Sequence, residues 1–492
     1  MRLRRFAAVP ALAALVAATV TPVAAADAAG NPATVAEADG GGNPATVAEA
    51  DGGGNPAARL AEAIRQAVVA QDFKDVIDLT PPEPGLAARS AEPVEKYDGY
   101  PAQRTARLAA AAGKPLHQTP NLDVAVIELD DAGRPRALAD VLLSPQYPQG
   151  VVVPVDRRTL STDQVRYRWW DDTEWDVNGG RGTRDVLAGR ENAPIDFSSP
   201  YPASVLKLMV GFGVLRLVDQ GRVALDGDYA YEPTVPRPAC GGKQTKTVRQ
   251  FFDEMITKSQ NESTCALIKM IHDLKAMDEL NESFARLGMP TLMITGTLPE
   301  NGGRWIGSNM SGIDTAKLLL LVNGGPGVLW RTADGKAVTR EALSRSSRAF
   351  FLKTLGDQGH NEMLSTTNWC GRDYPAQGIP QVTPKRWVQP DGTVTVGDAV
   401  YGQDVRPCDA RAEVTYAHKN GWVDTTGSDA GIVKSLRGKD KRNYIVVVFG
   451  NLGTDYVDPH RPADQPGLFP VLYTEKYAKL GKAIDGIMTG RR

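Results

Sequence analysis

Apolar and polar positions change period several times along the chain, and each change marks an element. From Ala57 to Ile77 the residues Leu60, Ile64, Val68 and Val69 recur at helical spacing, and Pro101–Ala112 predicts a second short helix after a loop rich in Pro and Glu. Asn121–Val141 opens with DVAVIEL, a strand, turns at Asp130–Gly133 and continues as a weaker strand, which is a hairpin pattern. The stretch from Ser144 to Asn192 mixes Trp169, Trp170 and Trp175 with many charges and fits neither period. Helical patterns dominate from Ala203 to about Val322. Val414–Lys419, Asp429–Leu436 and Tyr444–Asn451 then read as strands, the last (YIVVVFGN) of the fully buried type, and Pro466–Met488 predicts a closing helix. Strands first, helices in the middle and strands last predict an α/β protein whose sheet combines both chain ends.

The N-terminal part follows different rules. Residues 1–26 have a basic start, an apolar stretch from Phe6 to Val20 and small residues at Ala24, Ala25 and Ala26, the pattern of a secretory signal peptide. The run contains Pro10 and falls short of the roughly 20 residues a membrane span needs. Residues 27–56 hold two identical copies of NPATVAEADGGG and the start of a third, too rich in Gly to build a core, so they read as a flexible spacer. An N-terminal helical segment, 57–115, and a main domain, 116–492, complete the expected organisation.

Composition narrows the partners. With 492 residues and 42% hydrophobic content the chain can bury one large core or two smaller ones. A net charge of -2 offers no basic face for nucleic acid and no polybasic membrane anchor. After export the four cysteines, Cys240, Cys265, Cys370 and Cys408, meet an oxidising environment and can form two bridges in three connectivities. The sequence-local pairs, Cys240 with Cys265 and Cys370 with Cys408, are favoured because each closes a modest loop. No CxxC or HxxxH spacing supports a zinc site, and no cofactor is called for.

The chemistry is carried by SPYPASVLKLMVGFGVLRLVDQG, residues 199–221. Pro202 suits a helix start and Gly221 a stop, and between them the helix is apolar on most of its circumference. Ser204 and Lys207 are the polar exceptions, at i and i+3 on one face. A serine hydroxyl is a poor nucleophile until a neighbour takes its proton, and a desolvated lysine can be that base. The helix N-terminus adds free N–H groups beside a developing oxyanion. A Ser-x-x-Lys string arises by chance about once in a chain of this length, so its company matters. In MITKSQNESTCALI, Ser259 can relay a proton and the Asn261 amide can accept from the lysine and donate to a substrate carbonyl. In YAHKNGWV the strand period sets Lys419 and Gly421 on one side, His418 and Asn420 on the other. Gly421 would let a substrate backbone lie close, and His418, facing away, reads as a core or surface histidine.

Ser-x-x-Lys, Ser-x-Asn and Lys-x-Gly in this order, on matching elements, resemble the motif set of class A β-lactamases and penicillin-binding proteins over residues 116–492. The resemblance implies a three-layer α/β sandwich of the class A β-lactamase and DD-peptidase type, with an antiparallel sheet built from both chain ends and an all-helical lobe. It also implies roles: Ser204 as acylated nucleophile, Lys207 as its base, Ser259 as proton shuttle and Asn261 as holder of the lysine and substrate amide. Lys419 would attract a substrate carboxylate, and the backbone N–H groups of Ser204 and Trp422 would form the oxyanion hole. The implied partner is a small-molecule or peptide substrate, with β-lactams and cell-wall-derived peptides as candidates.

Two positions depart from the family pattern. Asn420 stands where the family carries a hydroxyl that touches the substrate carboxylate. No ExxLN string is present for a deacylating glutamate, and Glu300, in TLPENGG, is the only acid in the loop before SGIDTAKLLLLV. It is either a deacylating base or a surface residue in a Gly-rich turn. A positioned carboxylate makes a β-lactamase, whereas its lack makes a slowly deacylating penicillin-binding peptidase or esterase. A catalytically inactive binding protein of the same fold is the third reading. The insertion from Thr366 to Arg411 either roofs the cleft or forms a disulfide-stapled surface loop.

Overall fold

A computed structural model describes residues 55–79, 113–171, 175, 177–370, 377–459 and 474–491. The expected signal peptide, the spacer through residue 54 and the helix expected over 101–112 lie outside the described residues. Among the described residues no helix is long and apolar enough to cross a membrane.

Six antiparallel strands make the central sheet. In chain order they are β1 (Leu122–Leu129), β2 (Pro135–Ser144), β3 (Tyr147–Val152), β4 (Val414–Trp422), β5 (Gly427–Ser435) and β6 (Asn443–Gly450). Their spatial order is β4-β5-β6-β1-β2-β3, so both chain ends meet where β6 pairs with β1, Val446 opposite Val126. The hairpin and the three late strands thus stand where the pattern predicts them. Every residue of β1 is buried because the sheet is covered on both faces. On one face Val124 and Val126 pack with α1 (Pro56–Val69) through Leu60, Ile64 and Val68. The closing helix (Thr474–Thr489) joins the same layer through Tyr477, Leu480 and Ile484. On the other face Ala125, Ile127 and Leu129 pack against the helical lobe. Each such aliphatic side chain contributes about 1.5–3 kcal/mol when fully buried.

The lobe contains α2 (Lys207–Asp219), α3 (Val248–Thr257), α4 (Asn261–Asp273), α5 (Met277–Arg286), α6 (Gly312–Asn323) and α7 (Arg345–Gly356), with the closing helix as α8. Helix α2 runs through the middle of the lobe, which is why residues on every side of it are buried.

Several boundaries differ from the sequence reading. Helix α1 ends at Val69 rather than Ile77, because Asp72 takes a positive φ of 45° and breaks the helical path. The helix expected over 203–221 begins as a 3-10 turn, Ala203–Leu206, before α2. The unassigned Trp-rich segment supplies β3 and a parallel strand pair, Val165–Trp169 with Ile195–Ser199. Its arginines mask the strand period, yet they are paired: Arg166 and Arg168 both meet Asp185.

Both favoured disulfides are present. Cys240–Cys265, with Cα atoms 5.4 Å apart, ties a 3-10 turn to α4. Cys370–Cys408, with Cα atoms 6.2 Å apart, closes the insertion. The insertion has its own small apolar core of Trp369, Trp387, Val394, Val396, Tyr401 and Val405. It is therefore a folded unit, docked on the lobe where Arg386 meets Asp253 and the Trp387 indole donates to Asp357 O.

Candidate active site

Three chain reversals bring the polar groups together at the junction of lobe and sheet. Ala203 adopts φ 47° and turns the chain into the 3-10 segment, leaving Ser204 partly exposed at its start. Lys207, one turn on, is fully buried, and its Nζ donates to Ser204 Oγ at 2.9 Å. Between α3 and α4, Ser259 adopts φ 57°, which turns both its carbonyl and its hydroxyl toward Lys207. Positive φ costs a residue with a side chain of order 1–3 kcal/mol and persists where packing over-determines it. Ala203 and Ser259, two of the six non-glycine residues with positive φ among the described residues, sit at this cluster.

Lys207 Nζ has four oxygens in reach: Ser259 O at 2.7 Å, Asn261 Oδ1 at 2.8 Å, Ser204 Oγ at 2.9 Å and Ser259 Oγ at 3.2 Å. The carbonyl and the amide oxygen can only accept, whereas a hydroxyl can also donate. A neutral amine satisfies this set by donating to Ser259 O and Asn261 Oδ1 while its lone pair receives the Ser204 proton. The same surroundings take up the proton afterwards, since an ammonium finds an acceptor for each N–H. This is the arrangement a base needs beside a serine nucleophile. The Trp305 ring covers another flank of Lys207, its centroid 5.9 Å from Nζ. It is delivered by Arg304, whose φ is 65°.

Strand β4 closes the cluster from the sheet. Lys419 is fully buried and its Nζ donates to Asn420 O at 2.7 Å. Burial, and then the nearby Lys207 charge, push Lys419 well below the usual lysine range, against the pull of Asp429 and Glu362. The Asn420 side chain donates from Nδ2 to His360 O at 2.9 Å, and its Oδ1 lies 3.4 Å from Lys419 Nζ. His418 is a core histidine, with ring nitrogens 2.7 Å from Asp429 Oδ1 and 2.8 Å from Asn361 Oδ1. Gly421 serves a different approach from the one expected. A Cβ there would stand 2.4 Å from Ser204 N and 3.0 Å from Ser204 Cα, so the glycine admits the nucleophile's own backbone against the strand. Trp422 follows, 8% exposed.

Glu300 is not brought into this cluster. Its turn lies along α4, where Gly302 abuts Cys265 O and Lys269 N, and its exposed side chain makes its charge felt at His272 in the last turn of that helix. Residues outside the motifs adjoin the cluster. Besides Trp305 these are His360, whose Nε2 donates to Lys258 O at 3.2 Å, and Tyr401 and Glu362 behind it. No periodicity or spacing singles them out, because only tertiary packing makes them neighbours.

A helical lobe on one face of an antiparallel sheet, two helices on the other, and a serine–lysine couple at the junction define the fold of the β-lactamase and penicillin-binding serine hydrolases. The chain belongs to the β-lactamase enzyme family, whose sequence profile matches residues 185–461, more than half of its length. Among solved structures it is similar to PBP-A, at 16% identity over 78% of this chain and 94% of that chain, with a TM-score of 0.41. It is also similar to a β-lactamase from Chitinophaga pinensis DSM 2588, at 15% identity over 78% and 98%, TM-score 0.40. For a β-lactamase from Sphaerobacter thermophilus DSM 20745 the values are 16% over 79% and 96%, TM-score 0.38. Comparison with curated proteins found no match.

Proposed function

We propose that this protein is an exported serine acyl-transfer enzyme that forms a long-lived acyl-enzyme on Ser204 with β-lactams and related amide or ester substrates. The observation that carries this reading is the contact of Lys207 Nζ with Ser204 Oγ inside a ring of acceptors. Ser204 attacks the substrate carbonyl while its proton passes to Lys207. The backbone N–H groups of Ser204 and Trp422 hold the oxyanion, in a water-poor site where such donors are worth about 3–4 kcal/mol each. Ser259, within reach of the same amine, returns the proton to the leaving nitrogen or oxygen as the tetrahedral intermediate collapses to an ester on Ser204. The Asn261 amide orients the lysine and offers its N–H groups to the substrate.

Slow release is favoured over rapid turnover because the only acid in the expected loop, Glu300, is exposed and makes no side-chain hydrogen bond or ion pair to Ser204, Lys207, Ser259 or Asn261 among the described residues, and an indole ring covers one flank of Lys207. Water reaching the ester then has no carboxylate from that loop to activate it. The two disulfides and the family suit an extracytoplasmic site of action. The test is labelling with a fluorescent penicillin: a covalent band in the wild type, absent from Ser204→Ala, is expected. Absence of label from a folded wild type, with fluorophosphonate also failing, would favour an inactive binding protein.

A further inference from the structure

The segment Gln358–Glu362 (QGHNE) threads between the Ser259 turn and strand β4 and touches both. Gln358 Nε2 donates to Ile256 O at 2.9 Å, and its Oε1 accepts from His360 N at 3.1 Å. His360 O accepts from Asn420, and Asn361 Oδ1 meets His418. At the centre His360, with a side chain 13% exposed, spans the gap. Its Nε2–H donates to the carbonyl of Lys258, the residue before Ser259. Its Nδ1 lies 3.1 Å from the Tyr401 hydroxyl and 3.6 Å from Glu362 Oε1, and Tyr401 also hydrogen-bonds that carboxyl oxygen. The imidazole edge faces the Trp422 indole, with centroids 6.2 Å apart.

Three protons serve this chain in two ways. With Glu362 ionised, both imidazole nitrogens donate and Tyr401 donates to Glu362. With Glu362 protonated, each hydroxyl donates one step along to His360. Both arrangements keep Nε2–H on Lys258 O, a carbonyl oxygen that can only accept.

Tyr401 comes from the insertion, held in its small core against Trp369 with centroids 4.9 Å apart. We infer that His360 is a positioning residue, locked by Tyr401 and Glu362, which fixes the Lys258–Ser259 turn against Lys207, and that the insertion is thereby a working part of the active site. This rests on the acyl-enzyme reading above. It resolves the choice between roof and surface loop in favour of a buttress: the insertion bears on His360 through the Tyr401 phenol and holds the same segment through Asn368 and Gln381, which donate to Gly359 O and Asn361 Oδ1.

The test compares wild type with His360→Ala, His360→Gln and Tyr401→Phe in two readouts. One is the second-order rate constant for labelling by fluorescent penicillin. The other is the NMR signal of the Lys207 side chain in protein carrying isotope-labelled lysine, assigned by its loss in Lys207→Met. A turn displaced by about 1 Å costs on the order of 100-fold, so His360→Ala is expected to label about 10- to 100-fold more slowly and to shift the Lys207 signal. Glutamine can donate to Lys258 O and accept from Tyr401, so His360→Gln should recover labelling to within about threefold and return the signal. Tyr401→Phe should fall between. Unchanged labelling and an unmoved signal in His360→Ala would overturn the inference, as would a loss that tracks the melting temperature and that glutamine fails to rescue. If the wild type carries no label, while the Lys207 signal still moves in His360→Ala and returns in His360→Gln, the acyl-enzyme reading falls and the positioning role stands.

Discussion

Gly421 and Ser204 come so close that a single Cβ on the glycine would stand 2.4 Å from the serine nitrogen. The third motif thus touches the first directly. The glycine sets how deeply β4 presses into the turn bearing the nucleophile, and with it the spacing of the Ser204 and Trp422 N–H groups.

Gly421→Ala should therefore be costly for activity beyond its effect on stability. Forcing a methyl into a packed site destabilises by about 1–3 kcal/mol, and moving one oxyanion donor costs about 100-fold or more in rate. The expected outcome is a folded protein, by circular dichroism, whose penicillin labelling is slower by at least that factor. Labelling at the wild-type rate would show that the contact has no bearing on the nucleophile.

Lys207→Met separates chemistry from folding. The substitution replaces a fully buried amine by an apolar chain of similar length, removing the desolvation cost together with the base. The melting temperature should stay equal or rise, while labelling should fall by about 100- to 10,000-fold.

The sheet predicts a pH dependence unrelated to catalysis. Asp123 on β1 and Asp140 on β2 are buried together near Asp314, and Asp123 Oδ2 accepts from Gly312 N at the start of α6, at 2.7 Å. Burial raises Asp123 to about 7, and burial followed by the Asp123 charge raises Asp140 well above its usual range. In the unfolded chain both lose their protons near pH 4. From there up to about 7 the folded state holds more protons than the unfolded one, so stability falls as pH rises. Asp140→Asn has no such proton to retain. Its thermal stability should match wild type near about pH 4 and exceed it by a growing margin toward neutrality. A margin that is constant with pH would contradict the assignment.

Removing the insertion's disulfide should act through Tyr401. Opening the loop between Cys370 and Cys408, a separation of 38 residues, forfeits on the order of 2–4 kcal/mol. Cys370→Ala with Cys408→Ala should raise hydrogen exchange across the insertion and slow labelling about as much as Tyr401→Phe. Equal labelling despite faster exchange would detach the insertion from the site.

What the sequence made legible were features whose geometry is local. Ser204 and Lys207 are one helical turn apart wherever they fold, and Ser259 and Asn261 straddle one helix start. The strand YIVVVFGN is apolar on both sides, so its burial on two faces could be read directly, whereas LDVAVIEL, with Asp123 and Glu128, read as a strand and proved to be buried throughout. The position of Glu300 was not legible in this way, since a loop position does not say which part of α4 the turn will lie against. Asn420 and His418 were placed on the correct side of β4 by period alone, but their partners, His360 and Asp429, come from distant segments. Val165–Trp169 escaped notice because Arg166 and Arg168 look solvent-exposed until Asp185 pairs with them. His360, Tyr401 and Trp305 belong to no motif, and only the folding of an insertion and a strained loop sets them around the serine and the lysine.

The most direct measurement is a time course of intact mass after mixing the protein with a chromogenic cephalosporin. The account predicts one equivalent of colour in a burst and a persistent adduct, mapped to the peptide containing Ser204, that Ser204→Ala never forms. Continuous turnover with no accumulating adduct, or an adduct on any other residue, would contradict it.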